Sequence, residues 1–547
     1  MVAPDFETHE VGNQVPPRTG ANLYVSDPVL AALVEDLPQP VVDGLTQHGA
    51  QWGSAEMADL ARLANTVLPH LKTHDASGRR VDLVEFHPAY HALMRRSVGA
   101  GLHASIWDAV GDESNVRAVA RGARIYMTAQ VELGHLGPLS LTSASVASLG
   151  HAQPLAEAWL PLLRSRRYDS RPVPTGQKTG ALIGFATTEK QGGSDLRASS
   201  TRADSMGDGT FRLVGHKWFV SAPMSDALLV LAQTLEGLSL FLVPRFQADG
   251  KRNPLKMMRL KDKLGTRSNA AAEIELPGSI GVMVGEPGRG VSTIAETVTL
   301  LRVDDALAAT GVARAALAEA VHVVRHRRAF GSPLIDQALM TRVLADMALD
   351  VTAATALVFR LAEAVDRSQD NPAEAAFARL MTPVVKYWVA KIAPAIVMEA
   401  MECAGGNAYV EDSLLARLAR DVLALPLADG PGNVLSLDVL RVLRRSPEPL
   451  EAVLKVIEDG LGSAARSTLN VLRAATAVAL ADEGSARILT EQLAMTVAAA
   501  ALRRRFPSVI ADAFLETRLG KPWRSTYGML DARFDARAFV DYVVPRM

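Results

Sequence analysis

Cysteine is all but absent from this 547-residue chain, where Cys403 stands alone. A single thiol cannot close an intramolecular disulfide, and it excludes every zinc pattern built on several cysteines, so no metal centre is expected. Charge of either sign is also missing as a surplus. Lys and Arg number 58 against 59 Asp and Glu, so no overall field drives the chain toward nucleic acid or a membrane surface. Long apolar runs are lacking too. No stretch reaches the roughly 18 uninterrupted apolar residues of a membrane span. The most apolar region, 471–502, is broken by Arg473, Asp482, Glu483, Arg487 and Glu491 and reads as packed soluble helix. The opening MVAPDFETHEVGNQVPP carries Asp and Glu where a signal peptide needs basic residues and then an apolar core. Together these absences predict a cytoplasmic protein with no membrane partner.

What is present is ordinary globular composition, 48% hydrophobic and 21% charged, with length enough for about two to four domains. Residues 1–25 are polar and rich in Pro, Gly and Asn, as in an extended arm. From 26 to about 165, apolar residues recur at three- and four-residue spacing, which predicts helices. Between 181 and 285 short runs such as TFRLVGHKWFVSA, DALLVLAQT and LSLFLVP are separated by turn residues, the pattern of a compact β unit. Long helical segments then return, and after the SPEP break at 446–449 a further Ala/Leu/Arg-rich helical stretch follows. The expected fold class is α+β and mostly α. Its domains are an N-terminal arm and helical domain (1–180), a β domain (181–285), a helical bundle (286–446) and a C-terminal helical extension (447–547).

Four stretches invite a chemical reading. GEPGRG at 285–290 is not G-x-G-x-x-G and lies in no βαβ unit, so it reads first as a domain linker. Gly405 and Gly406 end a helical pattern, the ordinary place of a C-cap glycine, though they also permit close approach of a ligand. FATTEKQGGSD at 185–195 clusters small residues whose backbone N–H groups could meet a flat, oxygen-rich ligand. In LPLADGPGNVL, Asp429 precedes glycine, which is common turn composition. On these residues alone it either starts a turn or does chemistry.

The motifs in their order are similar to those of the acyl-CoA dehydrogenase family. TTEKQGGSD resembles its T-E-x-x-x-G-S-D signature, KWFVS (217–221) its K-x-W-I-T strand, and RRAFG (327–331) with Gln337 its R-x-x-F-G…Q. AGGNAYVEDS (404–413) resembles its G-G-x-G-Y segment, and LADGPGN is placed like its catalytic E-G-T turn. Within the family, GHKWFVSAPMSDALLVLAQT, RLKDKLGTRSN, FHPAYHALM and the helical extension look like the AidB-like, alkylation-response branch.

The resemblance implies the family's fold: helical domain, central β domain, C-terminal four-helix bundle and, here, an additional helical domain. It implies one FAD per subunit, lined by Phe185, Thr187, Thr188, Gly193, Ser194, Phe219 and Ser221, with Gly430 and Asn433 beside the catalytic turn. It implies a homotetramer in which Arg327, Phe330, Gln337, Gly405 and Gly406 reach a neighbour's FAD. The substrate would be an acyl-CoA or related acyl thioester met by Arg302, with Asp429 as base where the family has glutamate. The family's other base position falls on Leu301, which cannot take a proton; Asp304 is a weaker substitute, and Asp195 and Asp262 read as structural. Glu402 stands where many members have glutamine. The alternative function is a DNA-associated protective flavoprotein with little acyl-CoA activity, binding duplex DNA through the extension. Residues 441–547 hold 16 Lys and Arg against 12 Asp and Glu, with clusters at Arg441, Arg444 and Arg445 and at Arg503, Arg504 and Arg505. A solvated helix surface explains those clusters equally well.

Overall fold

The computed structural model describes residues 8–108, 111, 115–462, 465–520 and 534–545. The N-terminal arm contains no regular element from 8 to 22. Helix α1 (Pro28–Leu33) starts where the Asp27 carboxylate accepts from the N–H groups of Val29 and Leu30 at 3.1 Å each, with proline at the first helical position. Helices α2 (Gln39–Trp52), α3 (Ala55–Thr66), α4 (Pro88–Gly99), α5 (Arg117–Ala129), α6 (Leu136–Leu149) and α7 (Gln153–Leu163) complete the domain.

The unbroken helical texture expected over 26–165 is interrupted by a hairpin, β1 (His70–His74) paired with β2 (Arg80–Glu85). Its turn is built by Asp75, whose carboxylate accepts from Ser77 N–H and Arg79 N–H. Arg80 and Arg252 then exchange side-chain donors with the carbonyls of Met257 and Val81, tying the hairpin to the β domain. Long-range contacts outweigh local helical spacing here.

The β domain is one seven-stranded sheet of β3 (Ile183–Ala186), β4 (Arg202–Ser205), β5 (Thr210–Ser221), β6 (Ala227–Thr234), β7 (Gly237–Pro244), β8 (Lys256–Leu260) and β9 (Ala271–Val284). The order is β3-β5-β4-β6-β7-β9-β8, with long antiparallel pairing of β5 and β9. The GEPGRG connection leads directly into α8 (Gly290–His326). A Cβ on Gly290 would lie 2.7 Å from the Ser239 carbonyl carbon, so this glycine serves close packing of helix on β7.

Helices α9 (Ala338–Arg367), α10 (Pro372–Ala404), α11 (Leu414–Val422) and α12 (Gly432–Arg445) join α8 in the bundle, and a two-residue-stranded hairpin, β10 (Arg328–Ala329) and β11 (Ser332–Pro333), follows α8. By length and composition α8 and α10 could cross a membrane, but 94% and 78% of their most apolar windows are buried against protein. The extension, α13 (Glu448–Leu461), α14 (Ala465–Ala481), α15 (Ala486–Arg505), α16 (Ser508–Phe514) and α17 (Ala536–Val543), does not build its own core. Its Leu454, Leu493 and Phe514 join the same apolar cluster as Leu317, Phe359 and Val385 of the bundle and Tyr126 of α5.

Candidate active site

The segment between α11 and α12 is a run of tight turns, and Asp429 sits in it with φ +49°. A non-glycine residue there is strained by about 1–2 kcal/mol and persists only where its surroundings hold it. Two groups do so. Lys386, fully buried on α10, donates to the carbonyls of Ala428 and, at 3.2 Å, Gly430, clamping the peptide groups on both sides of Asp429. Arg302 on α8 donates through Nε to the Asp429 carbonyl at 2.9 Å and through Nη1 to Asp438 Oδ2 at 2.6 Å. Asp438 in turn accepts from Arg441 at 2.8 Å. A further carboxyl, that of Asp305 one helical turn from Arg302, lies close enough to Asp429 for each to act on the other's charge.

The electrostatics follow from this crowding. Burial pushes the Asp429 carboxyl above the usual aspartate range, against the pull of Lys386 and Arg302. Burial and then the Asp429 charge push Asp305 well above its ordinary value. Burial lowers the Lys386 ammonium, opposed by Asp305 and Asp429. The Asp429 backbone N–H donates to no acceptor among the described residues, so a strong donor is available beside the carboxyl.

Asp304, offered by the sequence as a substitute base, is spent elsewhere. Its carboxylate is gripped by both terminal nitrogens of Arg121 at 2.6 and 2.7 Å, and both residues are buried. Consecutive residues on a helix point about 100° apart, so Asp304 faces α5 while Asp305 faces the turn. Leu301 is buried in the apolar cluster that also contains Phe185. That cluster joins the helix carrying Arg302 to the edge of the β domain.

At that edge, Thr187, Thr188, Gly193 and Ser194 occupy the loop after β3, with Phe219 and Ser221 at the end of β5. Trp218 N–H donates to the Thr188 carbonyl at 2.9 Å, and Phe185 is in register with Ser221. A Cβ on Gly193 would stand 2.5 Å from Thr188 Oγ1, so only glycine lets the loop fold this tightly. Beneath it, Glu189 is fully buried, paired with Lys217 at 2.8 Å and accepting from the N–H groups of Ser200 and Thr201. Phe219 is 51% exposed, and the Lys261 ammonium lies 4.6 Å from its ring centroid. Phe185 is buried, whereas the loop, Phe219 and Ser221 face outward.

Most of the remaining sequence candidates lie far off. Arg327 is 25 residues beyond Arg302 on α8 and its cap, about 37 Å along a helix axis. Phe330 protrudes from the β10–β11 hairpin, 97% exposed at φ +50°, and Gln337 donates to the Ala329 carbonyl at 3.1 Å. Gly405 and Gly406 are exposed at the end of α10 with open space around them, and Glu402 is exposed on its last turn. Gly430 (φ +117°) lies inside the Asp429 turn, and Asn433 is exposed on α12.

Residues 13–170 match the N-terminal domain of the adaptive response protein AidB, 184–278 the acyl-CoA dehydrogenase middle domain, and 288–443 the acyl-CoA dehydrogenase C-terminal domain. The chain is 46% identical to the AidB protein of Escherichia coli (strain K12) over 442 residues, 80% of this chain and 81% of that one. It belongs to the AidB branch of the acyl-CoA dehydrogenase family. That family comprises flavin-dependent oxidoreductases acting on CH–CH bonds. The AidB-like chain is also 32% identical to acyl-CoA dehydrogenase family member 11 of Caenorhabditis elegans, over 81% of this chain and 74% of that one. The crystal structure of C. elegans ACDH-11 in complex with C11-CoA superposes with a TM-score of 0.81 at 28% identity, covering 99% of this chain and 94% of that one. The fold class expected from the sequence is therefore that of its relatives.

Sequence reasoning passed over Lys386 and Asp305. The first had a signal, a lone lysine in the apolar run MTPVVKYWVA, since an unpaired lysine is almost never buried. The second was hidden in a doublet, Asp304-Asp305, whose members only the helix orientation separates.

Proposed function

We propose that this protein binds FAD between the Thr187–Ser194 loop and the bundle and dehydrogenates an acyl thioester of CoA, with Asp429 as the base. The carrying observation is the Asp429 turn, which presents a carboxyl of raised pKa and an unbonded N–H in one place. That pairing suits removal of an α-proton while developing charge on the thioester oxygen meets a fixed donor. The β-domain edge fits an isoalloxazine: a glycine-tightened loop, outward hydroxyls of Ser194 and Ser221, and the exposed ring of Phe219. Bound FAD would supply the acceptor for the β-hydride. Lys386 and Arg302 keep the turn in its left-handed form so that the carboxyl is aimed before substrate arrives. The C11-CoA bound by ACDH-11 supports an acyl-CoA as the substrate class.

In this reading the protein is a homo-oligomer. Arg327, Phe330, Gln337, Gly405 and Gly406 lie too far from the Asp429 turn to meet the flavin served by their own chain, but an exposed Phe330 and the open glycines suit the phosphates and adenosine of a neighbour's FAD. Association with duplex DNA is not part of it. Arg503 pairs with Asp512, Arg504 with Glu363, and Arg505 with Asp36 and Glu363, so that triplet offers no free basic face.

The test is to purify the protein, saturate it with FAD, and add acyl-CoAs of graded length without oxygen. Bleaching of the flavin is the expected result. A protein that binds no FAD, or a flavin that no acyl-CoA reduces, removes the proposal.

A further inference from the structure

Asp305 is a half-buried charge that the dehydrogenation chemistry does not yet use. Of the charged groups acting on it, Asp429 approaches from the turn, Lys386 from α10 and Asp304 from its own helix; Arg302 and Lys391 act in turn on Lys386, and Arg121 of α5 is engaged by Asp304. The nearest cation, Lys386 Nζ, is 3.9 Å from Asp305 Oδ2, too far for a hydrogen bond and already donating to two carbonyls. Asp305 Oδ2 is buried and finds no donor among the described residues. A carboxylate oxygen in that position is costly, yet its neighbour across the gap is another carboxyl, which as an anion can only accept. One proton between the two resolves both problems: one oxygen becomes a donor and the like charges are reduced to a single one.

Resting on the reading of Asp429 as base, we propose that Asp305 and Asp429 share one proton, and that Asp305 is the positioning residue whose O–H holds the Asp429 carboxylate with its other oxygen free for substrate. The pair carries one negative charge beside Lys386 and keeps Asp429 ionised, although desolvation alone would neutralise it. The burial and mutual charge that raise Asp305 are consistent with its being the member that keeps the proton. The arrangement also compensates for the short side chain: a base one methylene shorter than glutamate has less reach and gains from being fixed at its rear oxygen.

The experiment uses FAD-loaded full-length protein. Infrared difference spectra between wild type and Asp305→Asn at pH 7 should show one protonated carboxyl band, shifted in deuterium oxide and lost in the variant. An infrared pH titration of the wild type, which needs no variant to fold, should show a carboxyl losing its proton only at alkaline pH. With a C11 acyl-CoA, Asp305→Asn should reduce flavin about tenfold more slowly and Asp305→Ala about 100-fold, and the alkaline fall of the wild-type rate should vanish in Asp305→Asn. Absence of the band, or an unchanged pH profile in Asp305→Asn, overturns the proposal. A band present in a wild type that no acyl-CoA reduces would sustain the shared proton and remove the dehydrogenase reading.

Discussion

Lys386→Met isolates the clamp on the Asp429 turn from the turn itself. Methionine keeps most of the volume on α10 and removes both hydrogen bonds to the Ala428 and Gly430 carbonyls. Bonds from a charged donor are worth about 1.5–3 kcal/mol each, so the gross loss is about 3–6 kcal/mol. Relief from burying an ammonium returns several kcal/mol, leaving a net destabilisation of about 2 kcal/mol. The effect on rate should be larger. Without the clamp, the Arg302 bond to the Asp429 carbonyl is what remains among the described residues to hold φ at +49°, and a base displaced by about 1 Å costs about 100-fold, or about 2.7 kcal/mol of activation free energy. Single-turnover flavin reduction and thermal unfolding measured on the same FAD-loaded sample separate the two effects. A variant that unfolds earlier yet reduces flavin within twofold of wild type would show that Lys386 only packs α10 and would refute the clamp.

Other outcomes follow from the same geometry. Arg121→Ala leaves the Asp304 carboxylate buried and unpaired and should cost about 3–5 kcal/mol in chemical unfolding, with the flavin-reduction rate of the folded fraction changed less than threefold; a tenfold rate loss would return Asp304 to the chemistry. Gly193→Ala forces its new methyl against Thr188 Oγ1 and should weaken FAD binding at least tenfold by fluorescence titration; unchanged affinity would place the flavin elsewhere. Burial lowers His103 to about 4 from an ordinary 6.5 while its ring bonds the Ser165 carbonyl. The unfolded chain then binds the extra proton between those values, so this contribution is complete above pH 6.5 and is lost as pH falls toward 4, at most about 3 kcal/mol. His103→Gln should shrink the difference in unfolding midpoint between pH 7.5 and pH 5, and an unaltered difference would remove His103 as its source.

Much of this was legible in the residues because the family's motifs are short and contiguous. The loop at 187–195 and the strand at 217–221 meet at one sheet edge because β3 and β5 pair there. The boundaries of α9 and α10 follow the spacing of their apolar residues and the Asn371 cap. What could not be read locally is what distant residues supply. The β1–β2 hairpin is held by arginine contacts across about 170 residues of sequence. The choice between Asp304 and Asp305 is a matter of helix rotation, and the worth of Lys386 depends on carbonyls more than forty residues away. The basic triplet at 503–505 shows the converse: charge counted along the chain disappears into ion pairs once the fold is made.

If Asp429 is the base, its carboxyl removes the α-proton of an acyl thioester. An acyl-CoA deuterated at the α-carbon, mixed anaerobically with the FAD-loaded protein, measures that bond breaking directly. Flavin reduction should slow severalfold relative to unlabelled acyl-CoA, and Asp429→Asn should abolish reduction while still binding FAD. Equal rates for both substrates, together with an active Asp429→Asn protein, would contradict Asp429 as the base.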